Sequence, residues 1–182
     1  RVFKALGSEA MTAHWEFTFG TERVKELVEM MDQPLLGANI FDAECDEPAF
    51  EPYNIFEKGG LRVAVIGQAF PYVPIAHPKR FTPDWTFGIR DDELQKLVDG
   101  HRNNDKVEAV ILLSHNGMDV DLKLASRVTG IDVILGGHTH DAIPIPITVT
   151  NAGGVTLVTN AGSNGKFIGV LDLDLAKGKV AN

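Results

Sequence analysis

Residues 107–140 read VEAVILLSHNGMDVDLKLASRVTGIDVILGGHTH, two short apolar runs separated by a helical pattern. The first run, Val107 to Ser114, and the second, Ile131 to Leu135, are typical of buried strands. Between them, Val120 to Val128 has the apolar spacing of a helix. Near-continuous apolar strands separated by helices indicate a sheet with helices packed on both faces, so this stretch predicts a layered α/β domain.

The rest of the chain repeats this alternation of strands and helices. Strand patterns occur at Leu61 to Gly67, Val155 to Thr159 and Ile168 to Leu175, and helical patterns at Glu22 to Met31, with Thr21 as N-cap, and at Asp91 to His101. The stretch Phe70 to Thr86 breaks the rhythm, because four prolines alternate there with aromatic residues. We expect this stretch to be a structured loop without helix or ladder strand.

Composition narrows the class of protein. A chain of 182 residues with 44% hydrophobic and 23% charged residues fits one globular domain with a core of its own. The net charge of −8 and the lack of a basic cluster argue against a nucleic-acid partner. Cys45, the only cysteine, excludes an internal disulfide framework. The chain begins at Arg1 directly on an amphipathic pattern, so we expect it to be truncated at both ends.

Three histidines follow the two strands of the opening stretch. His115 comes directly after the first strand, and His138 and His140 come after the second, behind Gly136-Gly137. Loops at the carboxyl ends of strands commonly carry metal ligands, and residues i and i+2 of an extended segment share a face. Glycines allow the backbone to approach a neighbouring group closely. The pattern therefore predicts a metal site containing these three histidines.

Two further histidines give no such indication. His77 lies in the proline-rich loop and His101 at a predicted helix end, where the helix dipole favours a cation. Both are interpreted as ordinary core or surface residues.

Two motifs resemble those of the calcineurin-like metallophosphoesterase superfamily, in its 5′-nucleotidase branch. Its Ser-His-x-Gly motif is intact at 114–117, and its Gly-Gly-His-Thr-His motif at 136–140. The branch's Gly-Asn-His-Glu motif is altered here to Ala13-His14-Trp15-Glu16. His14 takes the position of the ligand Asn, and Trp15 that of a catalytic His. This departure, with residues 67–90 and 114–121, resembles the SoxB family of thiosulfohydrolases over nearly the whole chain.

The resemblance implies a layered α/β/β/α catalytic domain of which residues 1–182 are a part. It also implies two manganese ions, with His14, His115 and His138 on one ion and His140 on the other. Zinc and iron remain alternatives, because imidazole with carboxylate suits all three metals. The family's upstream ligands and its C-terminal substrate domain are absent from these 182 residues.

The resemblance further implies the substrate and its surroundings. The expected reaction is hydrolysis of a sulfonate group from a sulfur chain on a cysteine of the carrier protein SoxY, in the periplasm, with no membrane span. Two alternatives stay open. One is a phosphoesterase of the 5′-nucleotidase kind, and the other, for the 182 residues alone, is a non-catalytic module with a partial metal site.

Three residues are candidates for roles beside the metals. Trp15 replaces a general acid that a thiolate leaving group does not need, and it either lines a channel for the carrier peptide or packs in the core. Asn116 is a candidate for orienting an imidazole through hydrogen bonds. Arg90 is a candidate oxyanion-binding residue, with a surface or helix-capping role as the alternative.

Overall fold

The computed structural model describes residues 2–176 and 179–181. The strands, in chain order, are β1 (Ile40–Asp42), β2 (Tyr53–Lys58), β3 (Leu61–Gln68), β4 (Trp85–Phe87), β5 (Ala109–Ser114), β6 (Val133–Gly136), β7 (Ile147–Asn151), β8 (Gly154–Asn160), β9 (Asp174–Ala176) and β10 (Lys179–Ala181). The α-helices are α1 (Val2–Leu6), α2 (Thr21–Glu29), α3 (Val73–Ala76), α4 (Asp91–Gly100) and α5 (Met118–Arg127). Shorter turns of 3₁₀-helix lie at Trp15–Phe19 and Lys79–Phe81, and one of π-helix at His101–Asp105.

A six-stranded sheet in the order β2-β3-β5-β6-β8-β7 forms the centre of the molecule. Its four inner strands run parallel, and the edge strands β2 and β7 are antiparallel to their neighbours. Because these strands are parallel, the carboxyl ends of β3, β5 and β6 lie together along one edge of the sheet, at right angles to the edge strands. The prediction of an α/β layered domain is confirmed.

The main core lies on one face of this sheet. Alternate residues of the inner strands pack there against α4 and α5, and the fully buried members include Ile66, Leu94, Leu112, Leu124 and Ile134. In the part of the chain that the structure describes, α4 and α5 both lie on this face and α2 packs in a separate core, so the expectation of helices on both faces of the sheet is wrong. The strands alternate in burial instead of being buried throughout.

The opposite face of the sheet carries an open apolar groove. Its lining includes Phe56, Val63, Val65, Ile111 and Leu135, the residues that alternate with those of the main core. Leu135 remains 37% exposed.

A second core joins the segment before the sheet to the proline-rich loop. It contains Phe17, Val24, Ile40, Phe70 and Trp85, among others, beside the antiparallel pair β1-β4. The expectation that the stretch Phe70 to Thr86 contains neither helix nor strand is wrong, since it holds α3, a 3₁₀ turn and the start of β4. Proline is compatible with the first turn of a helix, which is where Pro74 lies.

Two local predictions differ from the structure. Residues 168–173 are described and form no strand, and only Asp174–Ala176 pairs, with β10. The apolar side chains of Ile168 and Val170 are 89% and 81% exposed, so these two side chains pack against no layer formed by the described residues. Thr21 is the first residue of α2 and its N-cap is Gly20, while the Thr21 hydroxyl donates to Asp84 at 3.0 Å.

None of the helices formed by the described residues is long and apolar enough to cross a membrane.

Candidate metal centre

His14 lies in the turn before the 3₁₀-helix Trp15–Phe19 and is only 6% exposed. Its backbone N–H donates to the Glu16 carboxylate at 2.9 Å. The preceding residue, Ala13, accepts a hydrogen bond from the N–H of Phe70 at 3.1 Å. The bond to Phe70 attaches the turn to the loop that follows β3, and so brings His14 to the edge of the sheet where the parallel strands end.

His115 follows β5 directly, as predicted. Its N–H donates to the carbonyl of Gln68, the last residue of β3, at 2.9 Å. Gly137 lies against its ring, because a Cβ at Gly137 would come within 3.2 Å of His115 Nδ1. The prediction that this glycine pair allows a close approach is confirmed.

His138 and His140 lie in a tight turn after β6. Both have left-handed backbone conformations, with φ of 70° and 60°, and the N–H of Thr139 donates back to the carbonyl of Gly137 at 2.9 Å. The segment is therefore not extended, and the prediction that His138 and His140 share a face through i, i+2 alternation is wrong. The turn gives the two side chains different surroundings, with His138 half-buried and His140 exposed.

The structure brings His14, His115 and His138 together. One ring nitrogen from each of them lies within 4.8 Å of the others, a spacing that one metal ion can satisfy. The shortest approach is 3.2 Å, between His14 Nδ1 and His115 Nε2. His140 is outside this group of described residues, and its assignment to a second ion stays a prediction.

Burial keeps these imidazoles neutral. It is the largest cause that lowers the pKa of His14 and of His115 to about 4, and neighbouring histidines add to the effect. Burial, followed by the charge of His140, also lowers the pKa of His138. Neutral imidazole is the form that binds a metal ion, so the three nitrogens are available as ligands at neutral pH.

Phe70 and Trp15 enclose the cluster from two sides. The Phe70 ring stacks on His138 at 4.1 Å between ring centroids and lies 4.2 Å from His14. Trp15 stacks on His14 at 4.9 Å but is 67% exposed. The alternative that Trp15 packs in the core is therefore wrong, and its indole forms part of the surface beside the histidines.

Asn116 is buried beneath the cluster. Its side-chain amide donates to Gln68 Oε1 at 2.7 Å and to Asp121 Oδ1 at 3.3 Å. These partners lie in the interior, so Asn116 contributes to the support of the loop, and the structure records no bond from its described side chain to an imidazole.

Arg90 has partners in the β1-β4 ribbon. Its guanidinium lies 3.9 Å from the Phe41 ring centroid, donates to Thr86 Oγ1 at 3.0 Å and is 3.6 Å from the Asp46 carboxylate. Arg90 also adopts a left-handed conformation immediately before α4. This geometry favours the structural alternative for Arg90.

Two residues of the site were missed at the level of sequence. His77 is 7% exposed and lies 5.7 Å from the His14 ring and 5.4 Å from the Trp15 ring, and its Nε2 has no hydrogen-bond partner among the described residues. Asp121 is fully buried, and burial raises its pKa to about 6. No local sequence pattern indicates either residue, because nothing in the flanking sequence of a single His or Asp distinguishes a buried position from a surface position. His101, by contrast, bonds Asp105 at 2.8 Å and packs on Tyr53.

Known proteins share this arrangement of strands and loops. The chain is similar to the solved structure of sulfate thiohydrolase SoxB from Thermus thermophilus in complex with glycerol, with 41% identity, a TM-score of 0.90 and coverage of 99% of this chain and 32% of that one. A 5′-nucleotidase precursor from Thermus thermophilus is 29% identical with a TM-score of 0.74, and the match covers 87% of this chain and 34% of that one.

Curated protein sequences show a similar relationship. The UshA protein of Yersinia enterocolitica is 29% identical over 157 residues, which cover 79% of this chain and 28% of that protein. No model of a protein family matches the chain. The chain thus spans about a third of the length of these relatives. These similarities support a SoxB-like part of the 5′-nucleotidase branch of the metallophosphoesterase family, whose members are metal-dependent hydrolases.

Proposed function

We propose that His14, His115 and His138 bind one metal ion, and His140 a second, in a two-metal hydrolase of the SoxB kind. The observation that carries the proposal is the convergence of three neutral imidazoles within 4.8 Å at the edge where the parallel strands end. The remaining ligands are proposed to lie in polypeptide outside these 182 residues. Residues 1–182 would then form part of a larger catalytic domain.

The donor set fits a divalent transition metal. Imidazole nitrogen suits manganese, iron and zinc alike, and the resemblance to the SoxB family favours a pair of manganese ions. When bound, two such ions stabilise charge on an oxyanion and acidify water near neutral pH. The chain's own contribution is to hold the imidazoles neutral and fixed, with Phe70 stacked on His138 and Gly137 packed on His115.

The proposed substrate is a sulfonate group at the end of a sulfur chain on a cysteine of the carrier SoxY, in the periplasm. The 41% identity to a SoxB thiohydrolase over nearly the whole chain supports this choice. In the reaction, an oxygen of water bonds to the terminal sulfur and the adjacent S–S bond breaks. The electron pair leaves with the carrier's sulfur, sulfate is released, and two protons go to solvent.

Trp15 supports a sulfur leaving group over an alkoxide. A thiol has a pKa of roughly 8.5, so its anion leaves without a general acid, whereas an alkoxide benefits from one. The indole beside His14 carries no acid, and its 67% exposure suits a wall along which a carrier peptide lies.

Exchange of this side chain tests the leaving-group proposal. In the native-length protein, Trp15→His restores the acid, so we expect phosphate-ester hydrolysis to appear and thiosulfonate hydrolysis to fall by about tenfold or more. Both rates are measured on the same preparation, with Trp15→Phe as a control that keeps an aromatic wall. Unchanged thiosulfonate turnover without phosphoesterase activity would contradict the role given to Trp15.

Metal content tests the site itself. We expect the native-length protein to hold two ions by elemental analysis, and His115→Gln to weaken manganese binding by about tenfold or more. His101→Gln is the matched control, because His101 is bonded to Asp105 and belongs to the core. Equal manganese affinity in the two variants would remove the basis of the proposal.

Each of the two alternative functions predicts a different experimental result. The similarity to 5′-nucleotidases favours phosphate-ester hydrolysis as a second candidate, and turnover of nucleotides by the wild-type protein would support it. If the 182-residue chain alone acts as a partial metal module, it will bind fewer than two ions. Two tightly held ions per 182-residue chain would contradict our assignment of the missing ligands.

A further inference from the structure

Asp121 is a buried carboxyl group that the metal ligands do not explain. It lies in the first turn of α5, is 0% exposed, and lies against the ends of β5 and β6. Its recorded side-chain partners, Ser114 and Asn116, are neutral. Burying a carboxyl group without a cation costs free energy, so we expect the Asp121 side chain to have a specific role at this position.

One oxygen of Asp121 holds the loop that carries His115. Asp121 Oδ1 accepts hydrogen bonds from the Ser114 hydroxyl at 2.6 Å and from the Asn116 amide at 3.3 Å. These two donors are the residues on either side of His115. The Ser114 hydroxyl also accepts the backbone N–H of Asn116 at 3.1 Å, which closes the turn around the histidine.

The same network reaches β3. The Asn116 amide donates to Gln68 Oε1 at 2.7 Å, and Gln68 Nε2 donates to the carbonyl of Ile89 at 2.8 Å. The carbonyl of Gln68 accepts the N–H of His115. The His115 loop is therefore fixed both through its own backbone and through its two neighbours.

The other oxygen of Asp121 faces the loop that carries His138. A Cβ at Gly136 would lie 2.8 Å from Asp121 Oδ2, and Gly136 precedes His138 by two residues. Among the described residues, Oδ2 has no hydrogen-bond partner. A single carboxyl group thus contacts the loops of two proposed ligands of one ion.

We propose that Asp121 is a positioning residue that fixes the His115 and His138 loops relative to each other so that both imidazoles face one metal ion. The inference rests on the proposed function of these histidines as ligands. Outer groups that orient metal ligands typically change metal affinity by about 10- to 100-fold when removed.

The test compares three variants of the native-length protein. Asp121→Ala removes both contacts, and we expect manganese affinity to fall by about 10- to 100-fold. Asp121→Asn keeps an acceptor for Ser114 and Asn116, so its affinity should stay within about threefold of wild type. Asp132→Ala is the matched control, because Asp132 is also largely buried but pairs with Arg102 and the Val110 N–H. It should lower stability and leave manganese affinity unchanged.

A second measurement uses the metal-free protein. Hydrogen–deuterium exchange of peptides that cover residues 114–117 should speed up in Asp121→Ala and not in Asp132→Ala, since only the first loses the hydrogen bonds to this loop. This readout does not depend on whether the histidines bind metal.

The outcomes separate the two proposals. Equal losses of affinity in both alanine variants, or none in Asp121→Ala, would overturn the positioning role, and so would unchanged exchange at residues 114–117. If His115→Gln lowers manganese affinity while Asp121→Ala does not, the metal site stands and the positioning role fails. If His115→Gln has no effect, the metal site fails, and the exchange measurement alone decides whether Asp121 fixes the loop.

Discussion

At the scale of residues, the candidate site depends on imidazoles that stay uncharged. His14 is almost fully buried against Phe70 and shares a 3.2 Å contact with His115, and burial is the main cause of their lowered pKa values. Two protonated rings at this distance would repel each other, and a proton on a ligand nitrogen would compete with a metal ion. The same packing that lowers the pKa therefore prepares the nitrogens as ligands.

The lowered pKa values predict how the stability of the metal-free protein depends on pH. An unfolded histidine titrates near 6.5, and His14 and His115 titrate near 4 when folded. Between these values the unfolded state binds more protons, so the free energy of unfolding rises with pH and levels off above about 6.5. The slope is at most about 1.4 kcal/mol per pH unit for each histidine.

Urea denaturation with a chelator at several pH values between 4 and 7 checks this prediction. Asp121 titrates in the same window with the opposite sign, because its pKa is raised, so the comparison must be made between variants. His115→Gln should show a shallower rise than wild type. Parallel curves for the two proteins would contradict the assigned shift of His115.

At the scale of elements, the ends of three parallel strands and the glycine-containing turns between them form the site. His115 follows β5, His138 lies in the turn that follows β6, and β3 anchors the His115 loop through Gln68. Gly136, at the end of β6, lies against the carbonyl of Thr159 in β8, where a Cβ would approach to 2.7 Å. Strand pairing thus sets where each histidine emerges.

Substitution of Gly136 should consequently disturb both the sheet and the site. Gly136→Ala forces a methyl group against the Thr159 carbonyl and Asp121 Oδ2, so we expect a loss of about 1–3 kcal/mol in the free energy of unfolding. Gly100→Ala is the matched control, since a Cβ there meets nothing within 4 Å and the backbone is helical. It should be neutral or stabilising by up to about 1 kcal/mol. Similar denaturation midpoints for the two variants would contradict the close packing at Gly136.

At the scale of the whole molecule, the two faces of the sheet differ. α4 and α5 cover one face and bury Leu124 to 2% exposure, while the groove on the other face leaves Leu135 37% exposed. Ile134 and Leu135 are neighbours on β6, but Ile134 is buried and Leu135 is exposed.

This asymmetry predicts unequal effects of two identical substitutions in the 182-residue chain. Leu124→Ala removes a side chain from the closed core and should cost about 2–5 kcal/mol of unfolding free energy. Leu135→Ala removes a half-covered side chain and should cost less than about 1.5 kcal/mol. Chemical denaturation of both variants measures the difference, and a larger loss for Leu135→Ala would show that the groove is closed in solution.

The local sequence determined the strands of the opening stretch, the position of His115 at a strand end and the need for glycine before His138, since apolar runs and glycines are local signals. The motif resemblance grouped His14 with His115, and the tertiary structure showed their contact across 101 positions. Only the tertiary structure decided that His138 and His140 lie in a left-handed turn, that Trp15 is exposed and that Asp121 is buried. The physical reason is that burial, hydrogen bonding and the resulting pKa shifts depend on neighbours from distant segments. An isolated histidine or aspartate in the sequence carries no sign of those neighbours.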